Sequence, residues 1–135
     1  MEINMKAAVR YYSRTGNTKI AAEAIARAAG TRAVSVDAPD AAIQDPVDVL
    51  FIGGALYAYG IDEHMKSFIH NLRKDKVRKT IIFSTSWISK HAIELIRSGL
   101  QKQGIQVEEE SLYFRGKPGD KQQKEAELFA EKYLN

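Results

Sequence analysis

The sequence predicts an α/β fold of three layers: a five-stranded parallel sheet with helices on both faces, forming a single domain over residues 1–135. Two observations carry that expectation. Short segments rich in branched or aromatic residues alternate with amphipathic helical stretches, the pattern left by right-handed crossover units on a parallel sheet. The central segments "VLFIGG" and "TIIFSTS" are apolar without alternation, as strands buried on both faces must be.

The strands are expected at Lys6 to Tyr12, Ala33 to Val36, Val47 to Gly53, Thr80 to Thr85 and Ile105 to Val107. Between and after them lie four helical faces at three-and-four spacing. These are Ile20, Ala24, Ile25 and Ala28; Ile61, Met65, Phe68, Ile69 and Leu72; Ile93, Ile96 and Leu100; and Ala126, Phe129, Ala130 and Tyr133. Gly30 and Gly104 fall where helices should end, and Asp62 and Ser89 where they should be capped. "DAPDAAIQDP", Asp37 to Pro46, reads equally as a short helix or an irregular crossover.

Composition narrows the chemistry. The chain has 135 residues, 44% of them hydrophobic, enough for a core without staples. It has no cysteine, which excludes disulfides, thiolate metal sites, iron–sulfur clusters and cysteine nucleophiles, so any redox chemistry must come from a bound cofactor. The opening "MEINMKAAVRYY" has no long apolar run, and no later run could span a bilayer, so a cytoplasmic protein without membrane insertion is expected. A net charge of +3 falls well short of the dense basic surface of a dedicated nucleic-acid binder, and no nucleic-acid partner is expected.

In a parallel sheet, ligands gather beyond the carboxyl ends of the strands where strand order reverses. The loops delivered there are the richest in the chain: Ser13 to Thr18, Gly54 to Gly60 and Ser84 to Trp87. The first, Ser13-Arg14-Thr15-Gly16-Asn17-Thr18, runs from a strand into an Ala-rich helix. Three hydroxyls, an amide and a flexible glycine at a helix start offer converging donors to a phosphate. A single helix cap would account for Thr15 or Asn17 alone, but not for the whole row. The loop lacks the GK[ST] ending of a Walker A motif and is not a dinucleotide fingerprint.

"YYSRTGNT" after an apolar strand resembles the phosphate-binding loop of flavodoxins, whose usual form is Ser or Thr, any residue, then Thr-Gly-Asn-Thr. The loops "GGALYAYGIDEHMKSFI" and "FSTSW" are similar to that family's flavin-holding loops, and the chain length suits its short form. The resemblance implies bound flavin mononucleotide (FMN). Its phosphate would lie on Ser13, Thr15, Asn17 and Thr18, with Arg14 and Gly16 in the same loop. Its ring would lie between Ala55, Leu56, Tyr57, Ala58, Tyr59 and Gly60 on one side and Ser84, Thr85, Ser86 and Trp87 on the other. The backbone of Ala58, Tyr59 and Gly60 would face the flavin N5 atom. Tyr57 and Trp87 are the expected stacking pair, and their aromatic types are exchanged relative to the family's usual form. The fourth-strand loop "STSWISKH" also lacks the acidic neighbours usual there.

His64, His70 and His91 have no metal-ligand spacing, so no metal site and no histidine base are expected. "NLRKDKVRK" and "EEE" at Glu108 to Glu110 read as a solvated connection at the amino end of the sheet and a charged exposed edge. The resulting expectation is an electron-transfer flavoprotein serving redox partner proteins. Two alternatives stand beside it: an FMN-dependent oxidoreductase acting on a quinone-like substrate, and a flavin-free binding module of the same fold. Around the ring site Asp62 and Glu63 balance Lys90 and His91, with Arg14 beside the phosphate, so partners with neutral or acidic docking faces are expected.

Overall fold

A computed structural model describes residues 5–58 and 60–135. The strands are β1 (Ala7–Tyr11), β2 (Ala33–Ser35), β3 (Val47–Gly54), β4 (Val77–Thr85) and β5 (Leu112–Phe114), and the helices α1 (Asn17–Ala29), α2 (Glu63–Asn71), α3 (His91–Lys102) and α4 (Asp120–Glu131). All five strands pair in parallel in the order β2-β1-β3-β4-β5. Strand order therefore reverses between β1 and β3, which sets the end of the sheet where ligands are expected.

Alternation along each central strand divides the core into two layers. Val9, Tyr11, Phe51, Ile81 and Phe83 pack with Ile25 of α1 and Phe129 of α4. Ala8, Leu50, Ile52 and Ile82 pack with Met65 of α2 and Ile96 and Leu100 of α3. The apolar runs of β3 and β4 are thus covered on both sides, as their lack of alternation predicts.

The fifth strand differs from expectation. Ile105 to Val107 is not β5; it contributes only a parallel bridge between Val107 and Thr80. There the Thr80 amide donates to the Gln106 carbonyl (2.8 Å) and the Glu108 amide to the Thr80 carbonyl (2.8 Å). The chain then leaves the ladder at Glu108 and rejoins it at Leu112. The acidic run is more than an exposed edge. Arg97 of α3 donates to the carbonyls of Glu108 (2.9 Å) and Glu109 (3.1 Å), while the Glu110 carboxylate accepts from Lys132 (2.8 Å) and from the Tyr133 hydroxyl. The Arg97 side chain thus satisfies two backbone carbonyls at the point where the ladder is interrupted.

The remaining boundaries follow ordinary capping. Asp62 caps α2, its carboxylate accepting from the His64 amide. Ser89 accepts from the His91 amide (3.2 Å) one residue ahead of the Lys90 cap of α3. Residues 37–46 form an irregular crossover of turns rather than a helix. "NLRKDKVRK" runs through a single 3-10 turn, Lys74–Lys76, into the amino end of β4.

Candidate functional site

The turn after β1 builds a helix start whose first amides are left without an acceptor in the helix. Gly16 caps α1 at φ 97°, a conformation that strains any residue with a Cβ. The Gly16 carbonyl receives the Ile20 amide (3.1 Å), while the first amides of α1 have no intrahelical partner. No side chain among the described residues caps them, and the first turn contains no acidic residue. Ser13 Oγ accepts from the Gly16 amide (2.9 Å), curling the loop around this point, with Thr15 exposed and Asn17 half-buried beside it. The result is a set of amides and hydroxyls at the positive end of a helix dipole.

Thr18 is placed differently from the other hydroxyls. It is buried, and its Oγ1 lies 2.7 Å from Oγ1 of Thr85, itself buried at the end of β4. This bond ties the α1 start to the β4 loop and directs the Thr18 hydroxyl inward, while its backbone amide stays in the first turn. Thr18→Val strands the Thr85 hydroxyl and is expected to destabilise the fold by roughly 1 kcal/mol. Thr18→Val with Thr85→Val should recover most of that loss in urea denaturation, because both polar groups are then removed together.

The Arg14 side chain turns away from the start of α1 toward the β3 loop. Its guanidinium lies 3.8 Å from the Tyr57 ring centroid and donates to Asp62 Oδ2 through Nε (3.2 Å) and Nη2 (2.7 Å). Its backbone amide meets the Tyr57 hydroxyl at 3.3 Å. Asp62 Oδ1 holds the His64 amide (2.7 Å) and Nδ1 (2.8 Å), and the His64 ring stacks on Tyr12 at 5.0 Å. Burial pushes the Asp62 carboxyl up, but hydrogen bonds from Arg14 and His64 outweigh it and hold the group below the ordinary carboxylate range. Burial raises the Tyr57 phenol against the opposing pull of Arg14. A clasp of five residues therefore joins the β1 and β3 loops. Tyr12, Asp62 and His64 were not among the expected site residues. Their signal in the sequence was position alone: Tyr12 abuts Ser13, and Asp62 caps the helix that follows the loop.

The β3 loop closes on itself, with Tyr57 and Gly60 exchanging amide–carbonyl bonds of 2.8 and 3.0 Å. Ala55 and Leu56 are half-buried ahead of this turn, Ala58 is exposed at its tip, and Tyr59 lies outside the described residues. In the β4 loop, Ser84 is buried and its hydroxyl has no partner among the described residues. Ser86 Oγ accepts from the Ile88 amide (3.1 Å) and its carbonyl from Tyr113 (2.5 Å). Trp87 projects outward, 66% exposed. One edge of its indole seats on Gly116, where an added Cβ would come within 2.3 Å of the ring. A cavity of about 610 Å³ lies elsewhere, between the 36–44 crossover and α2, and residues 13–18 do not line it.

Known proteins agree with this architecture. A family model described as a flavodoxin domain matches residues 8–127, and the chain belongs to the flavodoxin family. No curated protein matches it. Among solved structures, a flavodoxin from the domain Archaea is 23% identical, with 96% of each chain covered and a TM-score of 0.74. Oxidised Flavodoxin 1 from Bacillus cereus is 20% identical over 96% of this chain and 97% of its own, with a TM-score of 0.78. The Flv1 flavodiiron core from Synechocystis sp. PCC6803 is 18% identical, covering 98% of this chain and 36% of its own, with a TM-score of 0.78. At these identities the likeness to solved structures establishes the fold. No helix among the described residues is long and apolar enough to cross a membrane.

Proposed function

We propose that this chain binds FMN noncovalently and carries electrons between redox partner proteins. The observation that supports this most is the start of α1: a glycine-capped helix at the carboxyl end of β1, without an acid in its first turn or a side-chain cap, ringed by Ser13, Thr15 and Asn17. Such a donor set fits a phosphate dianion, since every group in it donates and the helix dipole adds to the attraction. The open space around the Gly16 Cα leaves the backbone approachable.

Bound FMN supplies reversible one- and two-electron chemistry, and the protein supplies binding, orientation and field. In this reading the amides of Asn17 and Thr18 with the hydroxyls of Ser13 and Thr15 hold the phosphate. Arg14 is committed to Tyr57 and Asp62, so its role is to fix the β3 loop relative to the phosphate loop. Tyr57 has one ring face under the Arg14 guanidinium, and its other face and the Trp87 indole would be the aromatic groups that stack on the flavin. The backbone of Ala58, Tyr59 and Gly60 would face the flavin N5 atom.

Trp87 is the only tryptophan, so its emission reports this site alone. Titrating FMN into the flavin-free protein should quench that emission with saturation at one FMN per chain, and unchanged emission on flavin binding would remove Trp87 from the site. Turnover of a quinone with a reduced nicotinamide, without added reductase, would favour a self-sufficient oxidoreductase over a carrier.

A further inference from the structure

Two large apolar side chains stand exposed side by side at the carboxyl end of the sheet: Trp87 at 66% and Ile88 at 71%. Flavin stacking would employ Trp87, but it gives no reason for Ile88. Exposed cations surround the pair. Lys90 follows two residues later, its Nζ 5.5 Å from the Tyr113 ring centroid, and Tyr113 in turn bonds the Ser86 carbonyl. Gly116, the seat of the indole, is flanked by exposed Arg115 and Lys117. None of these three cations takes part in an ion pair among the described residues.

The structure also shifts the local charge away from the balance read in the sequence. Asp62 is neutralised by Arg14, and Glu63 is paired with Lys66 at 3.2 Å. Neither compensates the β4 and β5 loops, which are left with three uncompensated positive charges beside an apolar tip.

We infer that Trp87 and Ile88, framed by Lys90, Arg115 and Lys117, form the docking face for a redox protein whose own face is an apolar centre ringed by carboxylates; this rests on the electron-carrier reading above. Charge complementarity selects that occupant. A second copy of this chain would set three cations against three cations, which opposes association at low salt. Apolar contact supplies the centre of such an interface and the charges supply steering and register.

The test uses one redox centre with two surface charges: native cytochrome c, which is basic, and cytochrome c made acidic by succinylation of its lysines. In the flavin-free protein at about 10 mM ionic strength, where the Debye length is about 30 Å, the succinylated form should quench Trp87 through its haem at a concentration at least about tenfold lower than the native form. In the FMN-loaded protein reduced with dithionite, one electron passes from the flavin to the ferric haem, which becomes ferrous. The second-order rate should likewise favour the succinylated form by at least about tenfold, and the preference should vanish near 1 M salt, where the Debye length is about 3 Å. K90E/R115E/K117E should invert both preferences, and Ile88→Ser should weaken quenching by the succinylated form. A native cytochrome that quenches equally well or better overturns the docking face, whether or not the chain binds FMN. So does dimerisation through this face at low salt. Failure to bind FMN removes only the electron-transfer arm and counts against the function proposed above, while the quenching arm still decides the docking face.

Discussion

FMN is expected to bind this chain at least about 100-fold more tightly than riboflavin, which has the same ring but no phosphate; two lost charge-assisted hydrogen bonds at about 1.5 kcal/mol each suffice for that ratio. The expectation follows from the α1 start, where no acid and no side-chain cap compete for the first amides. Thr15→Ala should sharpen the comparison. Thr15 is exposed, so its loss should leave stability nearly unchanged while weakening FMN about 10- to 100-fold and leaving riboflavin unaffected. Calorimetric titration of both flavins into both proteins checks this, and equal affinities for the two flavins would remove the phosphate from the α1 start.

The second large effect is expected at Asp62, which caps α2 and holds Arg14 and His64 at once. Asp62→Ala should lower stability by about 2 kcal/mol, the loss of a cap and of buried hydrogen bonds to a carboxylate, equivalent to a melting temperature lower by roughly 6–10 °C. The Arg14 pair is half exposed and screened, and adds little to that figure. Asp62→Asn separates the parts, because asparagine still caps a helix but carries no charge. The pH dependence has a definite sign. The folded carboxyl titrates below its unfolded value, so its stabilisation is fully present above about pH 4 and is lost as the pH falls through the lower, folded value. The gap between the wild-type protein and Asp62→Asn should therefore be constant near neutrality and narrow below about pH 4. A gap that widens on acidification would show that the carboxylate is not the stabilised form.

Elements with a strong local signal were legible in the sequence. β3 and β4 announce themselves as unbroken apolar runs because both their faces are covered, and α1 to α4 by their buried stripes. The donor-rich turn at the start of α1 was legible because its residues are contiguous, six in a row from Ser13 to Thr18. The fifth strand was not. Ile105 and Leu112 are both buried, but only pairing with the distant β4 decides which segment extends the ladder, and that information is not local. The clasp was illegible for the same reason. Arg14 is 48 residues from Asp62, and nothing beside it in the sequence shows that its guanidinium turns away from the start of α1 to lie on Tyr57. The reach of Thr18 to Thr85 and the seat of Trp87 on Gly116 likewise depend on the register of neighbouring strands. Motif spacing thus indicated which loops to look at, whereas the division of labour among their side chains came from tertiary contacts.

The central claim, that the loops at the carboxyl end of the sheet hold FMN, is tested most directly by the visible absorption spectrum of the purified chain after incubation with FMN and gel filtration. The account predicts flavin absorption that travels with the protein at one FMN per chain and is lost on dialysis against high salt at low pH. A protein that emerges folded and colourless after the same treatment would contradict it.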